Sequence, residues 1–480
     1  MKITESGGGP TRVLSATAFL GYGFPEESLS RGVARDPHVI ACDAGTNDAG
    51  PFYLGAEQSI TSYAACKRDI QLMLRASQVT GAVLIIGSAW TSGTDAGVDL
   101  VVRMVIEAAA EDRLQPRVAA IYSEQAPAAM EALVREGRVV PLVAGSTYPA
   151  GLIEQCSRVV CAMGAEPIIQ AIGAGADVIV AGRASDAALF AAGPLFRGLP
   201  PERAWHTGRI LECGACAADP GDSADCLLAE VTDLDVTIEP LNATLRCTPR
   251  SVAAHAMYET KSCLEAREPS GVLDLREAVY EPVGDRAVRI SGDVAFRTDV
   301  EYSLRVEGAV QRGFRSFCVG GIRDSRFVRD VHKILPIIES DVRRRIEEMG
   351  IADLGKTHLR LIPYGLNGVL GALEPNATTV GHEVALMIDV VSETQTLADD
   401  VLALARAHTL HADFAGRLNA NAGNIAFPFS PSDVSFGPVY EYIPECVVLP
   451  DTPTSLMRTG FPAVWTAAGG DIPKEGGDTT

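Results

Sequence analysis

Ala82-Val-Leu-Ile-Ile86 is an unbroken apolar run, and Gly87-Ser-Ala-Trp-Thr-Ser-Gly-Thr-Asp95 follows it at once. Beyond that loop, Val98–Glu111 repeats its apolar residues at helical spacing. A continuous apolar run fits a strand covered on both faces, the usual condition of a parallel sheet. The same rhythm extends outward on both sides. Strands are predicted at Arg12–Ala18, Val39–Cys42, Val118–Tyr122, Val140–Val143, Val159–Cys161 and Val178–Ala181. The helical stretches between them are Glu26–Ala34, Ile60–Arg75, Pro127–Glu136, Pro167–Ala174 and Ala187–Leu195. Two of these open on Pro, which suits the first helical position. The pattern predicts an α/β fold, a mainly parallel sheet with helices on both faces.

The rhythm breaks at Asp219-Pro-Gly-Asp-Ser-Ala-Asp225. Strands are then predicted at Leu227–Ile238, Ala287–Ser291, Glu301–Val306, Ser316–Val319, Leu359–Ile362 and Val384–Val391, with long helices at Val328–Met349 and Leu397–His408. This reads as an α+β half. The expected division is an α/β domain over 1–218, an α+β domain over 219–466, as one body or two lobes, and a disordered Gly-rich tail over 467–480.

The 480 residues carry 41 Lys and Arg against 61 Asp and Glu, a net charge of -20. So acidic a chain lacks a phosphate-backbone footprint and is repelled by anionic membranes, so neither nucleic acid nor membrane is expected as a partner. Eleven cysteines are an odd count. With no apolar segment after Met1, they point to a reducing, cytoplasmic setting.

In an open parallel sheet, ligands bind beyond the carboxyl ends of the strands. Six predicted strand ends carry Gly, Ser or Thr, and five of them add a charge. They supply Asp43, Asn47 and Asp48; Gly87, Ser88 and Thr94; Ser123 and Glu124; Gly145 and Ser146; Glu166; and Arg183, Ser185 and Asp186. Together they predict a binding cleft on one rim. Loop N–H groups around Gly87, Ser88 and Thr94 suit a carboxylate or oxyanion. Arg183 reads either as a bidentate clamp on a substrate anion or as an ion-pair partner of Asp186. Glu166 reads either as a helix-start acid or as a general base.

Cys213-Gly-Ala-Cys216 is a lone CxxC without a second ligand pair, so no zinc or other metal is expected there. Cys213 is either a nucleophile or an inert buried thiol. His255 shares a helical face with Tyr258 and Glu259, a triplet suited to acid–base work or to a structural hydrogen bond. Asn424 and Ser430 stand in a long polar loop, Asn419–Asp433, of the kind that often carries function. No Walker A or dinucleotide fingerprint is present, and no cofactor is recognisable.

Several segments resemble the acyclic terpene utilisation A protein family. They are Asp43-Ala-Gly-Thr-Asn-Asp-Ala-Gly-Pro-Phe-Tyr-Leu-Gly55, Met163-Gly-Ala-Glu-Pro167, Gly175-Ala-Asp-Val-Ile-Val-Ala-Gly-Arg-Ala-Ser-Asp186, Leu211-Glu-Cys-Gly-Ala215, Val252-Ala-Ala-His-Ala-Met-Tyr-Glu259, Val306-Glu-Gly-Ala309 and Gly321-Ile-Arg-Asp324. The resemblance implies a catabolic setting with branched acyl-CoA intermediates and a possible small companion protein. It carries no catalytic residues over.

These readings converge on a catabolic enzyme for a small branched carboxylate or acyl-CoA thioester, acting as a lyase or hydratase through proton abstraction beside a carbonyl. Arg183 would clamp the anion, Gly87–Thr94 would hold the enolate oxygen, and Glu166 or Asp43 would move the proton. The alternatives are a hydrolase using Cys213, Ser88 or an activated water, and a non-catalytic scaffold that needs its companion chain. A homo-oligomer is expected.

Overall fold

The structure is a computed structural model. It describes residues 3–4, 9–143, 147–258, 262–351, 353–377, 379, 381–417 and 423–462. The expected tail over 467–480 lies outside these residues, as do Gly145, Ser146 and Glu259. The chain forms two compact units, one of Met1–Ala309 with Tyr442–Thr480, the other of Val310–Glu441. The segment from 219 to 309 thus belongs to the same unit as the first 218 residues.

A ten-stranded mixed sheet organises the first unit. Its order is Ala278–Val283, Ala287–Gly292, Val236–Pro240, Leu227–Val231, Thr11–Ser15, Val39–Gly45, Val83–Thr91, Val178–Ala181, Val118–Tyr122, Arg458–Gly460. The five strands from Thr11–Ser15 to Val118–Tyr122 are parallel, and the flanking ones run antiparallel. The α/β reading therefore holds.

Strand side chains alternate between faces, and the two core layers follow that period. Val39, Ala41, Val83 and Ile85 pack into one layer, with residues of the helices Glu166–Gly173, Asp186–Phe196, Pro201–Leu211 and Pro249–Ala256. Ile40, Cys42, Leu84 and Ile86 pack into the other, under Glu26–Val33, Tyr63–Thr80 and Asp95–Glu111. Each such Val, Leu or Ile is fully buried, a gain of about 1.5–3 kcal/mol apiece.

Among its five parallel strands, one stands out of sequence order. Val178–Ala181 inserts between Val83–Thr91 and Val118–Tyr122. This sets the loop that begins at Gly182 beside the end of Val83–Thr91, where Ser88 N donates to Gly182 O.

Two predicted strands are elsewhere. Val139–Pro141 pairs antiparallel with Cys446–Val448, and Cys156–Ala162 pairs with the strand Leu304–Ile322. The reason is visible in Val139 and Val140, one buried and the other exposed. Such a segment needs only one covered face. The rim therefore carries four of the six expected strand ends. The expected strand Leu227–Ile238 is two strands, because Thr232 and Asp235 close a turn through Thr232 N to Asp235 O, 2.9 Å, and Thr232 Oγ1 to Asp235 Oδ1, 2.7 Å.

The second unit is an antiparallel sheet in which Val384–Ser392 pairs on one side with His358–Tyr364 and on the other with Phe314–Ile322. Val384, Leu386, Ile388 and Val390 alternate toward the helices Ser325–Met349 and Gln395–His411. Among the described residues no helix is long and apolar enough to cross a membrane.

Candidate functional site

The rim loops open into a cavity of about 490 Å³ within the first unit. One wall is the parallel rim, with Thr46, Asn47 and Asp48 after Val39–Gly45, and Arg183, Ala184, Ser185 and Asp186 after Val178–Ala181. A second wall is antiparallel: Arg305 and Glu307 lie on the strand Leu304–Ile322 with Ser303 just before it, and Val447 lies on its partner Cys446–Val448 with Glu445 just before it. Glu265–Pro269 and the helix-end residues Arg209 and Glu212 complete the lining.

Arg183 is the hub of the rim, and it is almost fully buried. Its Nε donates to Glu307 Oε1 and Oε2 at 3.2 and 3.1 Å, and its Nη1 donates to Ser88 Oγ and Asp186 Oδ1, both at 3.0 Å. Asn47 Nδ2 donates to the same Glu307 at 3.2 Å. Asp43 sits beneath, its Oδ1 accepting from the amides of Ala44 and Gly45 at 2.8 and 3.2 Å. Burial, and then the neighbouring Asp186 carboxylate, push the Asp43 carboxyl well above the usual carboxylate range, while Arg183 pulls the other way.

The end of the strand Val83–Thr91, which holds Ser88, is conformationally unusual. Ser88, Trp90 and Thr91 have φ of 46°, 57° and 72°, and Gly93 has 67°. Such non-glycine residues persist only where their surroundings impose the backbone. Ser88 N donates to Gly182 O at 3.0 Å, and Arg183 N donates to Gly93 O at 3.3 Å. A Cβ at Gly93 would overlap the Arg183 backbone. Gly93→Ala should therefore lower stability by roughly 1–3 kcal/mol, the cost of forced overpacking. Urea unfolding checks this; an unchanged midpoint would show that the two loops are not locked together.

Two carboxyls on the far side of the cavity are tuned. Glu268 accepts from Ser185 Oγ at 2.7 Å. Burial pushes it up to about 7, against the Ser185 hydroxyl and Arg209. Glu212 Oε1 accepts from Arg209 Nη1 at 2.8 Å and Tyr258 OH at 3.1 Å, while Oε2 is buried with no hydrogen-bond partner among the described residues. Burial pushes Glu212 up to about 8, opposed by Arg209 and reinforced by Asp186 and Glu268. Burial thus favours the protonated form of both carboxyls relative to an ordinary glutamate.

The sequence profile described as acyclic terpene utilisation family protein AtuA matches residues 85–421 of the 480. The chain belongs to this family. No curated protein and no solved structure gives a significant match. Ser88, Arg183, Glu212, Glu268 and Glu307 fall inside the span shared with the AtuA family, whereas Asp43, Asn47, Asp48 and Glu445 lie outside it.

In this AtuA family member, the residues singled out from sequence divide into groups. Asn47, Asp48, Arg183, Ser185 and Asp186 line the cavity, and Asp43 and Ser88 support them from behind. Glu166 is not in the lining; its Oε2 accepts from Tyr302 OH at 2.8 Å. Gly87 is explained by packing, since a Cβ there would overlap Leu189, and Thr94 caps the helix Asp95–Glu111 by accepting from Gly97 N at 3.2 Å. Cys213 Sγ lies 2.8 Å from Tyr258 OH, and burial followed by the Glu212 charge pushes its thiol up, away from the thiolate a nucleophile needs. His255 stacks on Tyr258 at 4.7 Å, and burial and Arg209 push it down to about 4, so it is neutral at pH 7. Asn424 and Ser430 belong to the second unit. There Asn424 Nδ2 donates to Thr409 O and Ala412 O at 3.1 and 2.8 Å, a structural tie. Among the described residues, no group of three or more His, Cys, Asp or Glu side chains could hold a metal ion.

Sequence reading missed Arg209, Glu212, Arg267, Glu268 and Glu307. Glu212 and Glu307 were within reach, for both stand inside segments that carry the family resemblance. The signal at Glu307 was the alternation Ser303, Arg305, Glu307.

Proposed function

We propose that the protein is a catabolic lyase or hydratase acting on a small branched carboxylate or its acyl-CoA thioester. The observation that supports this most is the pair Glu268 and Glu212, two carboxyls lining one cavity and both pushed up toward neutral pH by burial. A carboxyl raised toward neutral pH can serve as base or as acid near pH 7. Glu268, as carboxylate, takes the proton from the carbon beside the carbonyl. The electron pair forms the carbon–carbon double bond, and the hydroxyl on the next carbon leaves with the Glu212 proton as water. The reverse sequence adds water. Ser185 fixes Glu268, and Arg209 with Tyr258 holds Glu212 so that its bare Oε2 remains free for transfer.

The roles set the pH dependence. The base must be ionised, so activity rises as pH climbs through about 7. The acid must be protonated, so activity falls above about 8. A bell-shaped kcat/KM profile with a narrow optimum between these limbs is expected. A profile flat from pH 5 to 10 would remove both residues from the chemistry.

The reaction itself is tested by proton NMR in D₂O with short branched 2-enoates and 3-hydroxy acids, free and as CoA thioesters. Deuterium entering beside the carbonyl, together with interconversion of the two series, supports the proposal. Absence of both for every substrate opposes it. Turnover that appears only after co-expression with a small companion chain would recast the protein as one part of a two-chain enzyme.

A further inference from the structure

Four arginines line the cavity. Arg183 is balanced twice, by Glu307 at 3.1 Å and Asp186 at 3.0 Å. Arg209 pairs with Glu212 at 2.8 Å, and Arg305 with Glu445 at 2.8 Å. Arg267 differs from all three. It pairs with no carboxylate among the described residues, and its Nη2 meets only neutral oxygens, Glu301 O and Ser303 Oγ, each at 3.3 Å. Its same-strand neighbour Glu265 is itself engaged by Arg276 and Arg297. Arg267 is therefore the one arginine of the lining without a carboxylate partner among the described residues.

We infer that Arg267 is the anion anchor of the cavity, and that the substrate carries one carboxylate and no second anionic group. The inference rests on reading this cavity as the substrate site, and it narrows that reading to the free carboxylate, because a CoA thioester has no carboxylate at the acyl group and carries several phosphate charges. A guanidinium presents parallel N–H donors that match a carboxylate fork. A second anionic group would find no free cation there and would meet Asp48, which is exposed on the opposite loop with no ion pair among the described residues. The adjoining apolar residues Leu142, Ala266, Pro269 and Val447 suit a short aliphatic body.

The test is ligand binding without turnover, by saturation-transfer NMR titration of the intact chain with butyrate, butyramide, glutarate and inorganic phosphate. Butyrate should bind the native protein, with butyramide, glutarate and phosphate each weaker. Arg267→Gln should weaken butyrate roughly ten- to a hundredfold, the scale of a hydrogen bond to a charged group, and leave butyramide unchanged. Arg267 is exposed, and matching circular dichroism and Tm would confirm that the variant is folded. Equal butyrate affinity in the variant, tighter glutarate or phosphate, or no butyrate binding to the native chain at 50-fold the protein concentration and above, up to solubility, would each overturn the assignment. Because no chemistry is read, failure of the lyase assay leaves this result standing, and loss of the anchor leaves the NMR exchange assay still to be judged on its own.

Discussion

Glu268→Gln should lower kcat by about two to four orders of magnitude, the usual contribution of a positioned general base. Gln keeps the shape of the side chain and can still accept from Ser185, whose Oγ lies 2.7 Å from Oε2 in the native protein. What it cannot do is take a proton. KM should change little, because the substitution removes an interaction that matters mainly in the transition state. The acid-side limb of the pH profile, set near 7, should vanish with the same substitution. If Glu268→Gln keeps activity within a few-fold, the base is another residue, and Asp43 becomes the next candidate. Its carboxyl is raised by burial and by Asp186, so the same pH experiment on Asp43→Asn would decide the point.

Arg183→Ala should be the most destabilising single change on the rim, at roughly 3–5 kcal/mol, because removing one partner strands buried charge. Glu307 is only 8 % exposed and would lose both bonds from Nε, and Ser88 and Asp186 would lose those from Nη1. The double variant Arg183→Ala with Glu307→Gln should recover part of the loss, since the stranded charge is then gone as well. Arg183→Lys should recover less, because a single ammonium cannot bridge Ser88, Asp186 and Glu307 together. Tryptophan fluorescence during urea unfolding is the measurement, for Trp90 and Trp205 belong to the first unit. A loss below about 1 kcal/mol, the scale of a solvent-exposed pair, would mean that the network is dispensable for the fold.

How much of this was legible beforehand depended on sequence distance. Val83–Ile86 declared a doubly covered strand by composition alone, and the rim loops after it followed from the rule for open sheets. Asn47, Asp48, Arg183, Ser185 and Asp186 were found in this way, and they do share a cavity. The opposite wall was not legible. Its strands are short, and Val139–Pro141 looks in sequence like one more member of the parallel series. Nothing local reveals that it pairs with Cys446–Val448, about three hundred residues away. The tuned acids were hidden for another reason. Glu212 and Glu268 are distinguished by burial and by neighbours such as Arg209, Tyr258 and Ser185, none of which is encoded in the letter E. Thr94 and Gly87 show the converse error: a helix cap and a packing glycine have the same residue types as an anion cradle.

The chain enters the second unit at Val310 and returns to the first only at Tyr442, and Glu445 and Val447 on the cavity wall belong to that returning segment. A nascent chain emerging from the ribosome would therefore complete its parallel strands, its arginine hub and both tuned acids long before it possessed a closed cavity. The missing wall must wait for some 130 further residues of synthesis, at about 5–20 residues per second. During that interval Leu142 and Arg305 would lack their strand partner, so the exposed edge, rather than the finished protein, is where premature association with other chains would begin.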